Sequence, residues 1–190
     1  MPALSFGQDY YDELLAKYTH KKDLFLRGLD ALGIAYDTAE HPPVHTIADC
    51  APVERLLNCM VVKNYFLNTK NQKHFYLCLV RPDARFRTSD ISKQAGSSRL
   101  SFANEEQMER LLKVHPGAVS PMGLLFDEEK QVELLVDGAL RDVPRLGFHP
   151  CDNSRSLAMT SQDFFERFLP AVGHAPRWVE IHDFQEVDAP

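Results

Sequence analysis

The strongest pattern in the chain is a pair of apolar, β-favouring runs, CMVVKNYFLNT (59–69) and HFYLCLV (74–80), joined by the polar KNQK. That arrangement predicts a β-hairpin. Upstream, YDELLAKYTHKKDLFLRGLDALG spaces Leu14, Leu15, Tyr18, Phe25, Leu29 and Leu32 on one or two helical faces, with Gly33 placed as the stop. IAYDTAEH reads as a short strand, ended by HPPVH, whose two prolines prevent regular structure. Thr46 is placed to open a short helix through IADCAPVERLL, interrupted or restarted near Pro52.

Beyond the hairpin, TSDISKQAG predicts a short helix closed by Gly96, and RLSFA a short strand. Asn104 caps a helix through EEQMERLLKV, with Gln107 completing a capping box. PGAVSPMG, with two prolines and two glycines, predicts a shaped loop. MGLLF and QVELLVD are expected to pair around the acidic turn DEEK, and RSLAMT to form a strand. Thr160 caps SQDFFERFLPAV, Gly173 ends it, and RWVEIHDF alternates as a last strand. Hairpins mixed with helix-linked strands indicate an α+β (mixed α/β) fold with a curved central sheet, not a doubly wound parallel one.

Composition narrows the class. A chain of 190 residues with 44% hydrophobic and 25% charged side chains suits one globular domain, with or without a short extension. No apolar run reaches the roughly 20 residues of a membrane span. MPALSFGQDYYDELL lacks the basic start and apolar stretch of a secretory signal, so the expected compartment is the cytoplasm. Cys50, Cys59, Cys78 and Cys151 show no C-x-x-C spacing, which suits a reducing cytosol and structural thiols. The formal net charge of −6 carries no general nucleic-acid signal. Nor does any strand lead into a G-x-G-x-x-G or P-loop pattern.

Four stretches resist a pure packing account. Lys63 and Asn64 interrupt an apolar strand in which Val62, Asn64 and Phe66 share one face and Val61, Lys63, Tyr65 and Leu67 the other. Two readings fit: a lysine at an exposed edge or bulge that snorkels its head to water, or a cation held for chemistry. PGAVSP (116–121) is either an ordinary connection or a loop whose Gly117 lets the backbone approach a ligand and whose Pro121 fixes the far end. GFHPCDN carries His149 and Asn153 in a turn, and AGSSRLSFA places Ser97, Ser98 and Arg99 after a helix stop, where an anion site and a solvated turn both fit. His41 and His45 are four apart, but Pro42 and Pro43 forbid the helix that would aim both at one metal ion. No metal or cofactor is therefore expected, and no G-x-S-x-G or Cys-His signature supports a covalent acyl-enzyme.

The stretches LGIAYDTAEHPPVHTIADC, VVKNYFL, GSSRLSFA, HPGAVSPMGLL and FHPCDN…GHAPRWVEI occur in this order from about Leu24 to Ile181. Together they resemble the aminoacyl-tRNA editing domains of the YbaK and prolyl-tRNA synthetase insertion superfamily, and most of all its freestanding alanyl-tRNA(Pro) deacylases. The resemblance implies a barrel-like mixed sheet surrounded by helices, spanning residues 24–190 after an N-terminal helical extension, 1–23. It implies hydrolysis of the ester joining a mischarged amino acid to the terminal adenosine of tRNA, with alanine on tRNA(Pro) as the expected substrate. The family's lysine falls on Lys63 as the catalytic residue, with Asn64 beside it. The family's G-x-x-x-P loop falls on Gly117 to Pro121 and its FHP turn on Phe148 to Pro150, so Asn64, Gly117, Pro121 and His149 are expected substrate-binding residues, and the anion-site reading of AGSSRLSFA adds Ser98 and Arg99 to them.

A lysine fixed in an apolar wall could then orient the ester and stabilise charge developing on its carbonyl. The implied partner is the acceptor end of a mischarged tRNA, with prolyl-tRNA synthetase as a candidate second and neither DNA nor membrane expected. Lys63, Lys70, Lys73, Arg81, Arg85, Arg87, Lys93 and Arg99 cluster in the middle third, where RNA contacts and ordinary surface charge are both open readings. Other mischarged tRNAs (Cys-tRNA(Pro), Ser- or Thr-charged tRNA) and a non-catalytic aminoacyl-tRNA or synthetase-binding module are the alternatives. The residues lining the amino-acid pocket are not assigned by the sequence.

Overall fold

The computed structural model describes residues 23–42 and 47–182. Leu14, Leu15 and Tyr18, the expected cap Thr46 and the tail of the last expected strand lie outside them, as does His45. Residues 23–31 form helix α1, after which Gly33 adopts the left-handed conformation (φ 62°) expected of a helix stop. The strands are β1 (Tyr36–Glu40), β2 (Met60–Val61), β3 (Lys63–Thr69), β4 (Phe75–Val80), β5 (Leu100–Phe102), β6 (Val132–Asp137), β7 (Arg145–Phe148), β8 (Arg155–Thr160) and β9 (Pro176–Val179). The helices are α2 (Ile47–Leu57), α3 (Thr88–Ala95) and α4 (Glu105–Leu112). A last helical segment, α5, runs through Ser161–Asp163, a π-helical stretch Phe164–Phe168 and Leu169–Ala171.

The fold is α+β, built on two mixed sheets. One has the order β1-β8-β7-β2 and the other β5-β3-β4-β6-β9. Among the described residues the sheets do not close into one barrel. The run expected as one strand, 59–69, is broken at Val62, so that β2 pairs parallel with β7 in the first sheet while β3 pairs antiparallel with β4 in the second. Val62 itself lies in neither strand, and its N–H donates to the Gly147 carbonyl (3.3 Å).

Burial follows the alternation of the strands. Phe66, Phe75, Leu77, Leu79, Val132, Leu134 and Val136 face a central core shared with Leu146, Phe148, Leu157 and Met159 of the other sheet. Leu67, Tyr76, Cys78, Val80 and Leu135 face the opposite way, against Ile91 of α3. Every residue of β4 is buried, as a strand covered on both faces requires. A smaller cluster, Ala39, Val53, Leu57 and Ala158, seats α2 on the outside of the first sheet. Phe25 of α1 meets Phe168 of α5 edge-on at 5.8 Å within the central core.

Several local readings hold. Asn104 and Gln107 form the capping box, and the Gln107 side chain also accepts from Asn68 of β3 (2.6 Å), locking α4 to the sheet. Thr160 caps α5 through the Asp163 N–H, and Gly96 and Gly173 are left-handed at helix ends. Two readings fail. Helix α2 runs through Pro52 without interruption, with the residue exposed, so the missing N–H of the proline costs one hydrogen bond and does not end the helix.

MGLLF is not a strand paired with QVELLVD. Pro121–Phe126 is a 3-10 helix, opened by the Ser120 hydroxyl accepting from Met122 N–H and by Pro121 in its first turn. A Cβ on Gly123 would stand 2.7 Å from the Leu112 carbonyl, a contact that a glycine alone permits there. QVELLVD instead supplies β6, parallel to both β4 and β9. Its start is held by Asp127, whose carboxylate accepts from Gln131 and Val132 N–H groups and lies 3.4 Å from His174 Nε2. No helix among the described residues is long and apolar enough to cross a membrane.

Candidate active site

The break at Val62 decides where Lys63 stands. As the first residue of β3 it emerges where the chain passes between sheets, and it is half-buried, not sealed in the core. Strand β5 covers β3 only from Leu67 to Thr69, with Ala103 N–H reaching the Phe66 carbonyl. The stretch 63–65 therefore borders open space on that side.

That space is a cavity of about 400 Å³, whose lining includes Lys63, Asn64, Gly117 and His149. Its apolar wall is Val62, Phe66, Met108 and Val119. Sequence reasoning left those wall residues unassigned, because hydrophobic side chains at helix and strand positions carry no mark that separates a pocket from a core. Met108 illustrates this, being an ordinary apolar position of α4.

The polar groups are positioned by their own neighbours. Asn64 Nδ2 donates to the Val62 carbonyl (3.3 Å), and its Oδ1 is buried with no hydrogen-bond partner among the described residues. A buried acceptor without a partner is uncommon in a native fold, and this one belongs to a residue of the cavity lining. His149 Nδ1 lies 3.1 Å from the Arg155 carbonyl, an acceptor, so the neutral ring carries its proton there and leaves Nε2 as a second acceptor. Burial pushes the His149 pKa below its ordinary value, and His41 adds to the effect. The His41 ring lies 6.1 Å away and meets Ser156 Oγ through Nε2 (2.9 Å).

Two tight features bring the loops in. A Cβ on Gly147 would lie 2.8 Å from Cys59 Sγ, so only glycine lets β7 run this close to β2 and deliver His149 two residues later. Gly117 has φ +88°, a backbone conformation that other residues adopt with strain, and Asn153 of the histidine turn lies beside it. Pro121 is buried at the start of the 3-10 helix, behind the loop and away from the cavity lining. Ser98 and Arg99 are exposed ahead of β5 and do not line the cavity. From the basic cluster, Arg81 is internal, with its guanidinium 3.6 Å from Asp137 and bonded to the Ile181 carbonyl.

Other chemistry is poorly served. Burial pushes the Cys59 thiol up to about 11 and that of Cys78 higher still, so neither offers a thiolate near neutrality. Among the described residues no group of three or more His, Cys, Asp or Glu side chains is arranged to hold a metal ion.

Residues 41–166 match the family described as the aminoacyl-tRNA editing domain. The chain belongs to that family. The editing domain is 32% identical to the prolyl-tRNA editing protein ProX of Acetoanaerobium sticklandii over 84% of this chain and 97% of that protein. It is 34% identical to the prolyl-tRNA synthetase associated domain-containing protein 1 of Mus musculus, over 78% of this chain and 89% of the mouse protein. Among solved structures, a candidate trans-editing enzyme for prolyl tRNA synthetase superposes with a TM-score of 0.63 at 17% identity, covering 85% of this chain and 97% of that one. At that identity the likeness speaks for the fold.

Two histidines of the editing domain titrate below their ordinary value of 6.5, His149 and His174, in each case chiefly through burial. Asp127 opposes the shift at His174 and Lys130 adds to it. A depressed folded-state pKa means that the unfolded chain binds more protons once the pH drops below the unfolded value. Their contribution to folding stability should therefore be fully present well above the ordinary histidine value of 6.5 and be lost progressively as the pH falls below it. Denaturant titrations across that range check this, and His149→Gln and His174→Gln should each make the decline shallower. A wild-type stability that rises on acidification would contradict the assignment.

Proposed function

We propose that the editing domain is a trans-acting deacylase that hydrolyses the ester of mischarged tRNA, with Ala-tRNA(Pro) as its substrate. The observation that carries this reading is the convergence of Lys63, Asn64, Gly117 and His149 on one cavity with an apolar wall. An aminoacyl ester needs those elements: a cation for the carbonyl, acceptors for the α-ammonium and the vicinal ribose hydroxyl, and a small apolar niche for the side chain.

In this mechanism the Lys63 ammonium lies against the ester carbonyl and stabilises the oxyanion formed when water adds to the carbonyl carbon. The carbon–oxygen bond to the ribose then breaks; the ribose oxygen leaves as a hydroxyl with one proton of the attacking water, and the amino acid leaves as its carboxylic acid, which ionises to the carboxylate. Asn64 Oδ1 and His149 Nε2 hold the polar groups that flank the ester. Because the ester is activated and carries a neighbouring hydroxyl, a positioned water needs no Ser-His-Asp array. The lysine supplies the positive charge that a Lewis acid would otherwise supply, so the reaction is metal-independent. Its place of action is the cytoplasm, with the acceptor end of tRNA as partner and prolyl-tRNA synthetase as the natural source of the mischarged product.

Three outcomes are expected. Lys63→Ala should lower single-turnover deacylation of Ala-tRNA(Pro) by roughly 100-fold or more, the scale seen when a preorganised electrostatic group is lost. Lys63→Arg should rescue poorly because a planar fork replaces a compact head. A folded Lys63→Ala protein with near-wild-type turnover would remove the lysine from the mechanism.

Selection should work by exclusion. If the side-chain niche beside Val62, Phe66, Met108 and Val119 accepts a methyl group and refuses a pyrrolidine ring, Pro-tRNA(Pro) should survive while Ala-tRNA(Pro) is cleaved. Equal hydrolysis of the two would refute the pocket. Chelation with EDTA after the tRNA is folded should leave the rate unchanged, and a loss restored by zinc would overturn metal independence.

A further inference from the structure

Next to the cavity stands an aromatic group that the chemistry above does not use. Tyr65 stacks on Phe86 with ring centroids 4.0 Å apart and an interplanar angle of 21°. Phe102 lies 6.0 Å from Tyr65 and 6.5 Å from Phe86. Tyr65 and Phe102 both line the cavity that holds Lys63. Phe102 is 62% exposed, one of very few large apolar side chains so placed among the described residues.

Core packing does not account for this exposure. β5 is an edge strand of three residues, and its Leu100 is buried at 2% while Phe102 is turned to solvent. The pairing of Phe102 with Leu67 fixes its position relative to Tyr65 two residues back along β3. Phe86 supports Tyr65 from behind. The result is a rigid apolar ledge, open to solvent, continuous with the cavity mouth.

We propose that this ledge is the stacking platform for the 3′-terminal adenine of the tRNA, with Phe102 as its principal contact. The inference rests on the deacylase reading, because it takes the ester beside Lys63 to be the one carried by that adenosine. The base and the ester share one ribose, so a base platform must border the same cavity as the catalytic lysine, as this one does. Stacking on aromatic rings also suits a terminus with the same base in every tRNA, since it grips a π-face without reading its edge. The charge is favourable: exposed Arg87 follows Phe86, and exposed Arg99 lies three residues before Phe102.

The test uses uncharged acceptor-stem hairpins ending in CCA, alongside identical hairpins with an abasic 3′-terminal nucleotide, with binding read by fluorescence anisotropy. The full-length wild-type protein should prefer the adenine-ended RNA by ~10-fold, within the range of one base–aromatic stack. Phe102→Ala should reduce that preference to about twofold or less, while Phe102→Trp, which preserves the stacking face, should keep it. Thermal melts should show both variants folded, since Phe102 is largely exposed. A wild-type protein that does not distinguish the two hairpins, or a Phe102→Ala protein that keeps the full preference, overturns the platform. No hydrolysis enters the readout. Adenine preference on the uncharged hairpins, with no amino acid released from Ala-tRNA(Pro) in the separate deacylation assay, would therefore sink the deacylase reading and leave the platform standing, and hydrolysis without adenine preference would do the reverse.

Discussion

Everything at the site hangs on one backbone contact, where Val61 pairs with Gly147 and the Val62 N–H bonds to the Gly147 carbonyl. It pins the chain to the first sheet, at a point where a side chain on β7 could not fit, just before the chain crosses into the second. The next residue along one chain is Lys63, and two residues along the other is His149. A crossing that serves the fold thus also brings both residues to the lining of one cavity. It explains, too, how a lysine can follow an apolar run without being buried: Lys63 begins a new strand at the edge of the core instead of interrupting the middle of one.

Local elements were legible wherever short-range chemistry decides the outcome. The capping box of Asn104 and Gln107, the Thr160 cap, the left-handed glycines and the β3–β4 hairpin are all written in side chains within a few residues of one another. What the pattern missed depends on distant partners. MGLLF looks like a strand by composition, but Ser120, Pro121 and the close approach of Gly123 to Leu112 make it a 3-10 helix. The break at Val62 is invisible because Met60, Val61, Val62 and the residues after Asn64 have equal claims on a strand. Only the presence of a second sheet divides them.

The site shows the same division. Lys63 and Asn64 stand out because polar groups in an apolar run demand an explanation, and Gly117 and His149 because their neighbours are prolines and glycines. The resemblance to editing domains tied these together, and the cavity lining includes all four. Ser98 and Arg99 were named with them on the strength of neighbouring letters, yet both precede β5 outside that lining. Arg81 looked like one member of a basic cluster and is instead tied to Asp137 and the Ile181 carbonyl. A charged side chain's role turns on its three-dimensional partner, and the sequence does not carry that.

The electrostatics leave little for the molecule as a whole to do. A chain of net charge −6 gains nothing at long range from a polyanion, and at physiological salt charges separated by more than about 8 Å are largely screened. Recognition must therefore be settled within the reach of the cavity itself, by the Lys63 head, the open Asn64 acceptor and the apolar surfaces around them. On the proposed mechanism, discrimination falls on contacts that only the reacting ester makes: charge that appears on its carbonyl, beside the half-buried Lys63 at the crossing, and a side chain that fits against Val62, Phe66, Met108 and Val119.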